Sequence, residues 1–399
     1  MHYTDMYEYY FDQKVLPTYG RFRSQKDLEA YEQQRRNVFT EKLFLPPRLF
    51  LHSRLIEFGP DAGENSLVFA LWGASCTLVE PNTKAHPVIR EYFQQFDLSH
   101  RLAGLESSDL KAFSDRAMVS EKFDFIDAEG FIYTVRPESL WMDLFARLVS
   151  DDGLVILFYQ ETMGSFMELL LKVIYTRVRQ LTGMTALGSA QKLFSAKWNS
   201  IPHKRTMESW VMDVLENPFV RLRYFFEPQS LCRQMYDSGF SLYSSWPPYK
   251  DGLSVHWFKK ELTAEEELWV QNGFIARSRL SHLFGRKHFL LRSSANLERD
   301  LLGLLALIDG LVDKFDVAQV EQCGEYLSSL ERLIDSTEVM ADVQDTAYTL
   351  QAIRSVKHIL RLLGSGEVEN LIRFCDSDPA FIRTWGTPAH FAVFKRGVA

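Results

Sequence analysis

Residues 55–65, with the sequence LIEFGPDAGEN, constrain the fold more than any other part of the chain. A short apolar run ends at Glu57 and breaks into a glycine-bearing turn, and a second apolar run, CTLVEPN, reaches Glu80 23 residues later. In a doubly wound α/β sheet, the turn after the first strand brings backbone N–H groups close to a nucleotide. The acid after the second strand accepts hydrogen bonds from the ribose hydroxyls. The pattern therefore predicts a parallel α/β sheet with a nucleoside site.

The spacing of the glycines separates two classes of nucleotide site. A dinucleotide site needs G-x-G-x-x-G, because the second glycine lets the backbone approach the pyrophosphate and the third lets the helix pack on the strand. This turn offers only Gly59 and Gly63. Glu57, at the end of the first strand, would repel a pyrophosphate but suits a cationic ligand. An NAD-dependent oxidoreductase is therefore disfavoured.

The heptapeptide EFGPDAG resembles motif I of the class I S-adenosylmethionine-dependent methyltransferases, written E/D-x-G-x-G-x-G, and Glu80 matches the ribose-binding acid of that family. The resemblance covers about residues 40–260. Asp61 departs from the motif, since it stands where the family has its middle glycine. Aspartate tolerates left-handed backbone better than most residues do, which makes the departure compatible with the site.

The resemblance implies S-adenosylmethionine as the cofactor and a Rossmann-like fold, α/β and doubly wound, with a seven-stranded methyltransferase-type sheet. It also implies a set of cofactor-binding residues at the strand ends. These residues are Glu57, Phe58, Gly59, Pro60, Gly63, Asn65, Glu80, Pro81, Glu106, Ser107 and Asp127.

Alternating apolar runs and helical periodicity predict the order of elements. Residues 1–45 form a helical N-terminal lead-in, residues 46–260 the cofactor-binding domain, and residues 261–399 a helical C-terminal domain. Strands are expected at 76–79, 102–105, 122–126 and 153–158, and a closing antiparallel pair at 240–245 and 254–259. The segment 384–395 is either a strand that returns to the catalytic domain or an isolated edge.

An insertion at about residues 160–228 is too long for an ordinary connection, which indicates structure or function of its own. In the resembled fold it sits over the ligand, and its mixture of aromatic and polar residues suits a pocket for a polyhydroxy or anionic acceptor. The candidate acceptor-binding residues are Arg205, Trp198, Asp213 and Asn217, the last two spaced as i and i+4 on a predicted helix. The tryptophan has core packing as its alternative role, and the aspartate and asparagine have local hydrogen bonding.

Three residues are candidate catalytic groups. His203, in the insertion, is placed to act as a general base, because a histidine can accept and release a proton at neutral pH. Asp127 and Glu129 follow the fourth strand, where this fold directs its reactive groups. No third oxygen ligand accompanies them, so no metal site is predicted. G-x-S-x-G, P-loop and H-E-x-x-H motifs do not occur, which leaves hydrolase and kinase activities without support.

Composition limits the partners. The formal net charge is −7 with no basic run, which makes nucleic acid a poor candidate. Four scattered cysteines and the lack of a signal-like N-terminus or a long apolar run predict a cytoplasmic chain without a membrane span. Three amphipathic segments, at 297–315, 317–334 and 343–363, predict helices whose apolar stripes favour a homodimer.

We therefore expect a methyltransferase that acts on a hydroxyl, in preference to a nitrogen, of a glycan or small molecule. The turn and the aromatic insertion are similar to those of bacterial methyltransferases of surface-polysaccharide and natural-product pathways. The alternative is a non-catalytic partner protein that keeps the nucleoside pocket for a structural or regulatory purpose.

Overall fold

The computed structural model describes residue 9 and residues 22–116, 121–202, 206–251, 262–285, 290–291, 295–335, 339–340 and 343–397. The chain forms two compact units. The sheet unit consists of Met1–Tyr159, Pro228–Leu268 and His390–Ala399, and the helical unit consists of Gln160–Glu227 and Trp269–Ala389.

This division differs from the predicted boundaries of 1–45, 46–260 and 261–399 in two places. The insertion belongs with the C-terminal helices, because both contribute to one apolar core. The last ten residues belong with the sheet, because they include one of its strands.

The strands in chain order are β1 Arg54–Phe58, β2 Ser75–Val79, β3 Leu102–Glu106, β4 Phe123–Glu129, β5 Val149–Gln160, β6 Phe240–Trp246, β7 Leu290–Leu291, β8 Val339–Met340 and β9 Ala389–Arg396. The α-helices are α1 Gln25–Glu41, α2 Glu64–Leu71, α3 Ala85–Gln95, α4 Leu110–Arg116, α5 Ser139–Leu148, α6 Phe166–Thr182, α7 Ala186–Trp198, α8 Met207–Trp210, α9 Pro228–Asp237, α10 Ala264–Phe284, α11 Ala295–Asp313, α12 Val317–Asp335, α13 Val343–Ser365, α14 Val368–Ser377 and α15 Pro379–Arg383.

The main sheet has seven strands in the order β3-β2-β1-β4-β5-β9-β6, which confirms the predicted fold class. Strands β3, β2, β1, β4 and β5 pair in parallel with one another in that order, and β6 pairs antiparallel with β9. Residues 254–259, the predicted partner of β6, lie outside the described residues. The strand found beside β6 is β9, which resolves the open question about segment 384–395 in favour of a strand within the sheet.

Predicted and observed strands otherwise agree to within a few residues, with one difference that matters for the site. Strand β4 was expected to end at residue 126 but continues to Glu129. Its pairing with β1 runs to Phe58 opposite Ala128, and that with β5 to Glu129 opposite Phe158. Asp127 and Glu129 are therefore held by the sheet ladder and do not lie in a loop.

The lead-in helix α1 packs on the sheet unit through one face. Ser24 caps its first turn, since its Oγ accepts the Asp27 N–H. Phe39 and Leu28 are buried at helical spacing with Tyr31 and Arg35 between them. The ring of Phe39 meets an aromatic cluster in the core of the sheet unit, which consists of Phe50, Phe69, Trp72 and Phe391.

The helical unit has one core, built by α6 and α7 of the insertion with the C-terminal helices. Leu304, Leu327 and Ile353 are buried there from α11, α12 and α13. The apolar stripes of those helices are thus covered inside the unit, which removes the reason for expecting a homodimer. Helix α13 ends as predicted, with Gly366 in left-handed backbone just beyond it. Among the described residues, no helix combines the length and apolar character needed to cross a membrane.

Arg221 also joins the insertion to α11 through two ion pairs. Arg221 donates to Asp309 Oδ1 from Nε at 2.8 Å and to Asp313 Oδ1 from Nη1 at 2.5 Å. Asp309 Oδ1 also accepts the Leu222 N–H. The pair with Asp309, whose side chains are largely buried, reinforces the shared core, because breaking a buried pair leaves an uncompensated charge, whereas Asp313 is exposed.

The shared core predicts that a cavity in the insertion destabilises the whole helical unit. Leu193→Ala, on α7 and fully buried, should lower the free energy of unfolding by about 2–5 kcal/mol. Leu181→Ala, 46% exposed, is the matched control and should change it by no more than about 0.5 kcal/mol. Denaturant unfolding followed by circular dichroism measures both, and equal effects would contradict the shared core.

Candidate functional site

The turn between β1 and α2 has an unusual backbone that fits the resembled motif. Gly59, Asp61 and Gly63 all have positive φ, at 64°, 51° and 87°. These are the three glycine positions of the motif, and Asp61 adopts left-handed backbone without being glycine. The departure from the motif therefore leaves the shape of the turn intact.

Glycine at position 59 is required by space as well as by φ. A Cβ there would lie 2.9 Å from Cδ1 and Cε1 of Phe131, which follows β4. The turn therefore presses against an aromatic ring at the carboxyl end of a neighbouring strand. Phe131 was not among the predicted site residues, although its position directly after Gly130, the first residue beyond β4, was a usable signal.

Glu80 connects the end of β2 to this turn. Its Oε2 accepts the Asp61 N–H at 3.1 Å, and its Oε1 accepts the Asn82 N–H at 2.7 Å. The side chain is buried, and burial raises the pKa of Glu80 to about 8. His86 Nε2 lies 2.8 Å from the Glu80 carbonyl oxygen. The predicted ribose-binding acid is therefore next to the glycine turn.

Glu57 and Asp127 face each other across the β1–β4 pairing, where they are register partners. Glu57 accepts a hydrogen bond from the Ser66 hydroxyl, and burial raises its pKa to about 8. Asp127 is fully buried, and no donor group among the described residues bonds to either of its oxygens, so its side-chain hydrogen bond is with the carboxyl group of Glu129. Burial, followed by the charge of Glu129, raises the pKa of Asp127 well above its usual range.

Glu129 is bound by a side chain from the lead-in helix. Arg35 donates to both of its carboxylate oxygens, at 3.1 and 2.7 Å, and Asn65 Nδ2 donates to Oε2 at 3.2 Å. Tyr31, one turn before Arg35, donates its hydroxyl to Asn65 Oδ1 at 2.6 Å. Tyr31 and Arg35 were not among the predicted site residues, because only the tertiary fold brings α1 to the strand ends.

A family model described as "Methyltransferase domain" matches residues 30–245, more than half of the chain. This chain belongs to that methyltransferase family. The match begins within α1 and ends within β6, so it includes the turn, Glu80 and the acids of β4. No curated protein sequence matches the chain.

Three similar solved structures are also methyltransferases by their titles. The first is a StiE O-methyltransferase segment, residues 961–1257, with 14% identity, 35% of this chain and 44% of that chain covered, and a TM-score of 0.27. NodS from Bradyrhizobium japonicum WM9, bound to S-adenosyl-L-homocysteine, has 14% identity, coverage of 35% and 65%, and a TM-score of 0.26. The glycopeptide N-methyltransferase MtfA, bound to S-adenosyl-L-methionine, has 15% identity, coverage of 29% and 50%, and a TM-score of 0.25. The chain covers less than two thirds of the length of each of these structures.

The remaining cofactor candidates of this methyltransferase divide into packed and exposed residues. Phe58 is buried against Phe113 and Phe145, and Pro60 is also buried, which indicates structural roles. Pro81, directly after Glu80, is half-buried. Glu106 and Ser107, at the end of β3, are exposed, and Glu106 lies 3.8 Å from Arg116 in a surface ion pair.

The described acceptor candidates, Trp198, Asp213 and Asn217, lie in the helical unit. His203 and Arg205 lie outside the described residues. Trp198 is buried in the core and packs on Trp210 with ring centroids 5.2 Å apart, so it is not available as a sugar platform.

Asp213 and Asn217 do not share a helix as predicted. Asp213 is in a π-helix, Val211–Leu215, and Asn217 lies beyond its end. The Asn217 side chain is buried and accepts the Phe219 N–H at 2.8 Å. The extra residue per turn of the π-helix changes the spacing on which the prediction depended.

The buried acids predict how the stability of the methyltransferase depends on pH. The folded state retains protons on Glu57 and Glu80 up to about pH 8, whereas the unfolded chain releases them near pH 4.5. Folding therefore takes up protons between about pH 5 and 8, and the contribution of these acids to stability is lost as the pH rises through that window. Glu57→Gln should reduce this loss, by up to about 1.4 kcal/mol per pH unit.

Thermal unfolding of the full chain between pH 5.5 and 8.5 measures this effect. Glu91→Gln, at an exposed position of α3, is the control and should leave the pH profile of the wild type unchanged. A Glu57→Gln profile that coincides with the wild-type profile would show that Glu57 is already ionised in the folded chain.

Proposed function

We propose that this methyltransferase uses S-adenosylmethionine as its methyl donor. The observation that carries the proposal is the group of three buried acids, Glu57, Glu80 and Asp127, around a turn of left-handed backbone. A turn of this kind admits close approach by a ligand, and Asp127 has unused acceptor oxygens in a buried position. The ligand that fits these features is a nucleoside with a cationic end.

The residues that would hold the cofactor follow from their surroundings. Each oxygen of Glu80 accepts one backbone N–H and keeps a further lone pair, so the carboxylate can accept two ribose hydroxyls without releasing the turn. Glu57 and Asp127 supply negative charge where a buried cation needs compensation. Exposed Glu106 and Ser107, at the end of β3, are the proposed adenine contacts.

When bound, S-adenosylmethionine supplies an electrophilic sulfonium methyl that an acceptor oxygen or nitrogen can displace. The work left to the protein is to place the acceptor and to remove its proton. Glu129 is unsuited to act as a base, because Arg35 and Asn65 occupy its oxygens. His203 remains the proposed base, and Asp127 is the second candidate because no donor group among the described residues bonds to its oxygens.

The proposed acceptor is a hydroxyl of a glycan or small molecule, with a nitrogen as the less favoured target. Its support is the density of aromatic and polar residues in the insertion, including His203 and Arg205. Trp198 and Asn217 are buried, whereas Asp213 is half-buried, so of the four acceptor contacts Arg205 and Asp213 are the ones we retain. The non-catalytic alternative depended on Asp61, and the φ of 51° at that residue removes the reason for favouring it.

The proposal predicts that Glu80→Ala weakens S-adenosylmethionine binding by about 1.5–3 kcal/mol, the usual contribution of a hydrogen bond to a charged group. Titration calorimetry on the full chain measures the affinity, and circular dichroism checks that the variant is folded. Glu91→Ala, on the exposed side of α3, should bind as the wild type does. Equal affinities for wild type and Glu80→Ala would exclude Glu80 from the site.

The proposed base predicts that His203→Ala lowers turnover by roughly 10²-fold or more, while S-adenosylmethionine affinity stays within about twofold. A hydroxyl is a poor nucleophile until its proton is removed, whereas cofactor binding depends on the strand ends of the sheet unit. His100→Ala, at an exposed histidine, is the matched control and should keep full turnover. If His203→Ala has normal turnover and Asp127→Asn has none, Asp127 is the general base that removes the acceptor proton.

A further inference from the structure

The described contacts of the lead-in helix include one buried cation that the proposed function does not use. Arg35 lies on α1, more than 90 residues before Glu129, and the two side chains are about 9% and 10% exposed. Its guanidinium also lies over the rings of Phe39 and Phe69, 4.8 and 5.2 Å from their centroids. The group is therefore fixed by stacking on one side and by a bidentate carboxylate on the other.

The pair is connected to the glycine turn through Asn65. Asn65 is in the first turn of α2, directly after Gly63 and Glu64, and it donates to Glu129 while it accepts from Tyr31. Tyr31 and Arg35 are one helical turn apart and thus act from the same face of α1. Two side chains of α1 therefore contact the end of β4, which lies beside the turn, and the start of α2, which directly follows it.

Stability alone is a weak reason for this arrangement. A buried ion pair gains little over apolar residues of similar volume, because both charges lose their hydration. The Nε of Arg35 is also buried without a hydrogen-bond partner among the described residues, which adds to the cost. Arg35 acts on two of the three buried acids, because its charge lowers the pKa of both Glu57 and Asp127 against the effect of burial.

We propose that α1 is part of the cofactor site and that Arg35 is a positioning residue, which fixes the Glu129 carboxylate and Asn65 beside the glycine turn. The inference rests on the proposed function for the identity of the ligand. Without Arg35, Glu129 is released next to Asp127, and the acids around the turn retain their protons to higher pH. The retained protons leave less negative charge to compensate a bound cation, and the released Glu129 no longer holds Asn65 beside the turn.

The test uses full-length Arg35→Met, Arg35→Lys and the double variant Arg35→Met/Glu129→Met, with S-adenosylmethionine as the titrant. We expect Arg35→Met to bind at least tenfold more weakly than wild type, and Arg35→Lys to lie between the two. The double variant removes both charges, so its thermal midpoint should return toward the wild-type value while its affinity stays low. The pH at which affinity rises should be higher in Arg35→Met than in wild type.

Arg36→Met is the matched control, because Arg36 is the next residue of the same helix and pairs with Glu32, away from Glu129. Its affinity should stay within about twofold of wild type. If the double variant regains affinity together with thermal stability, or if Arg35→Met binds normally, the pair is only structural and the inference is wrong. If the wild type itself does not bind S-adenosylmethionine, the proposed function is wrong, and so is the inference that depends on it. Should Arg35→Met not fold, the double variant decides alone.

Discussion

The left-handed backbone between β1 and α2 is the constraint on which the site depends. Three residues with positive φ within five positions turn the chain from the end of β1 into α2, with Gly63 as the N-cap of the helix. Two of them are glycines, and the third, Asp61, directs its N–H to Glu80. The strand order of the sheet then brings the ends of β2 and β4 to either side of this turn.

The burial of acidic side chains is the second physical constraint on the sheet unit. Glu57, Glu80 and Asp127 lose hydration at the strand ends, which raises the pKa of each. Uncompensated carboxylates are expensive in such a place, so the unliganded protein retains protons there. A cationic ligand compensates the negative charge of these buried acids. Their burial therefore determines the charge of the ligand and the pH dependence of stability.

The helical unit shows how insertions can share a core with distant segments. Helices α6 and α7 are separated in sequence from α11–α13 by β6 and α9, yet they bury their apolar faces together. Strand β9 then returns to the main sheet after the last helix, next to β6. Boundaries drawn along the sequence could not represent this, because both units are assembled from non-contiguous segments.

The sequence by itself determined the features that depend on local pattern. The turn, the acid after the second strand, the alternation of strands with helices and the amphipathic helices all follow from residue periodicity and backbone preference over short distances. The tertiary structure alone decided the contacts that join residues far apart in the chain. Pairing with β5 extends β4 and fixes Asp127 and Glu129, and α1 brings Arg35 to Glu129. The core of the helical unit takes Trp198 away from any acceptor. Such contacts depend on which faces meet in space, and no local pattern encodes that.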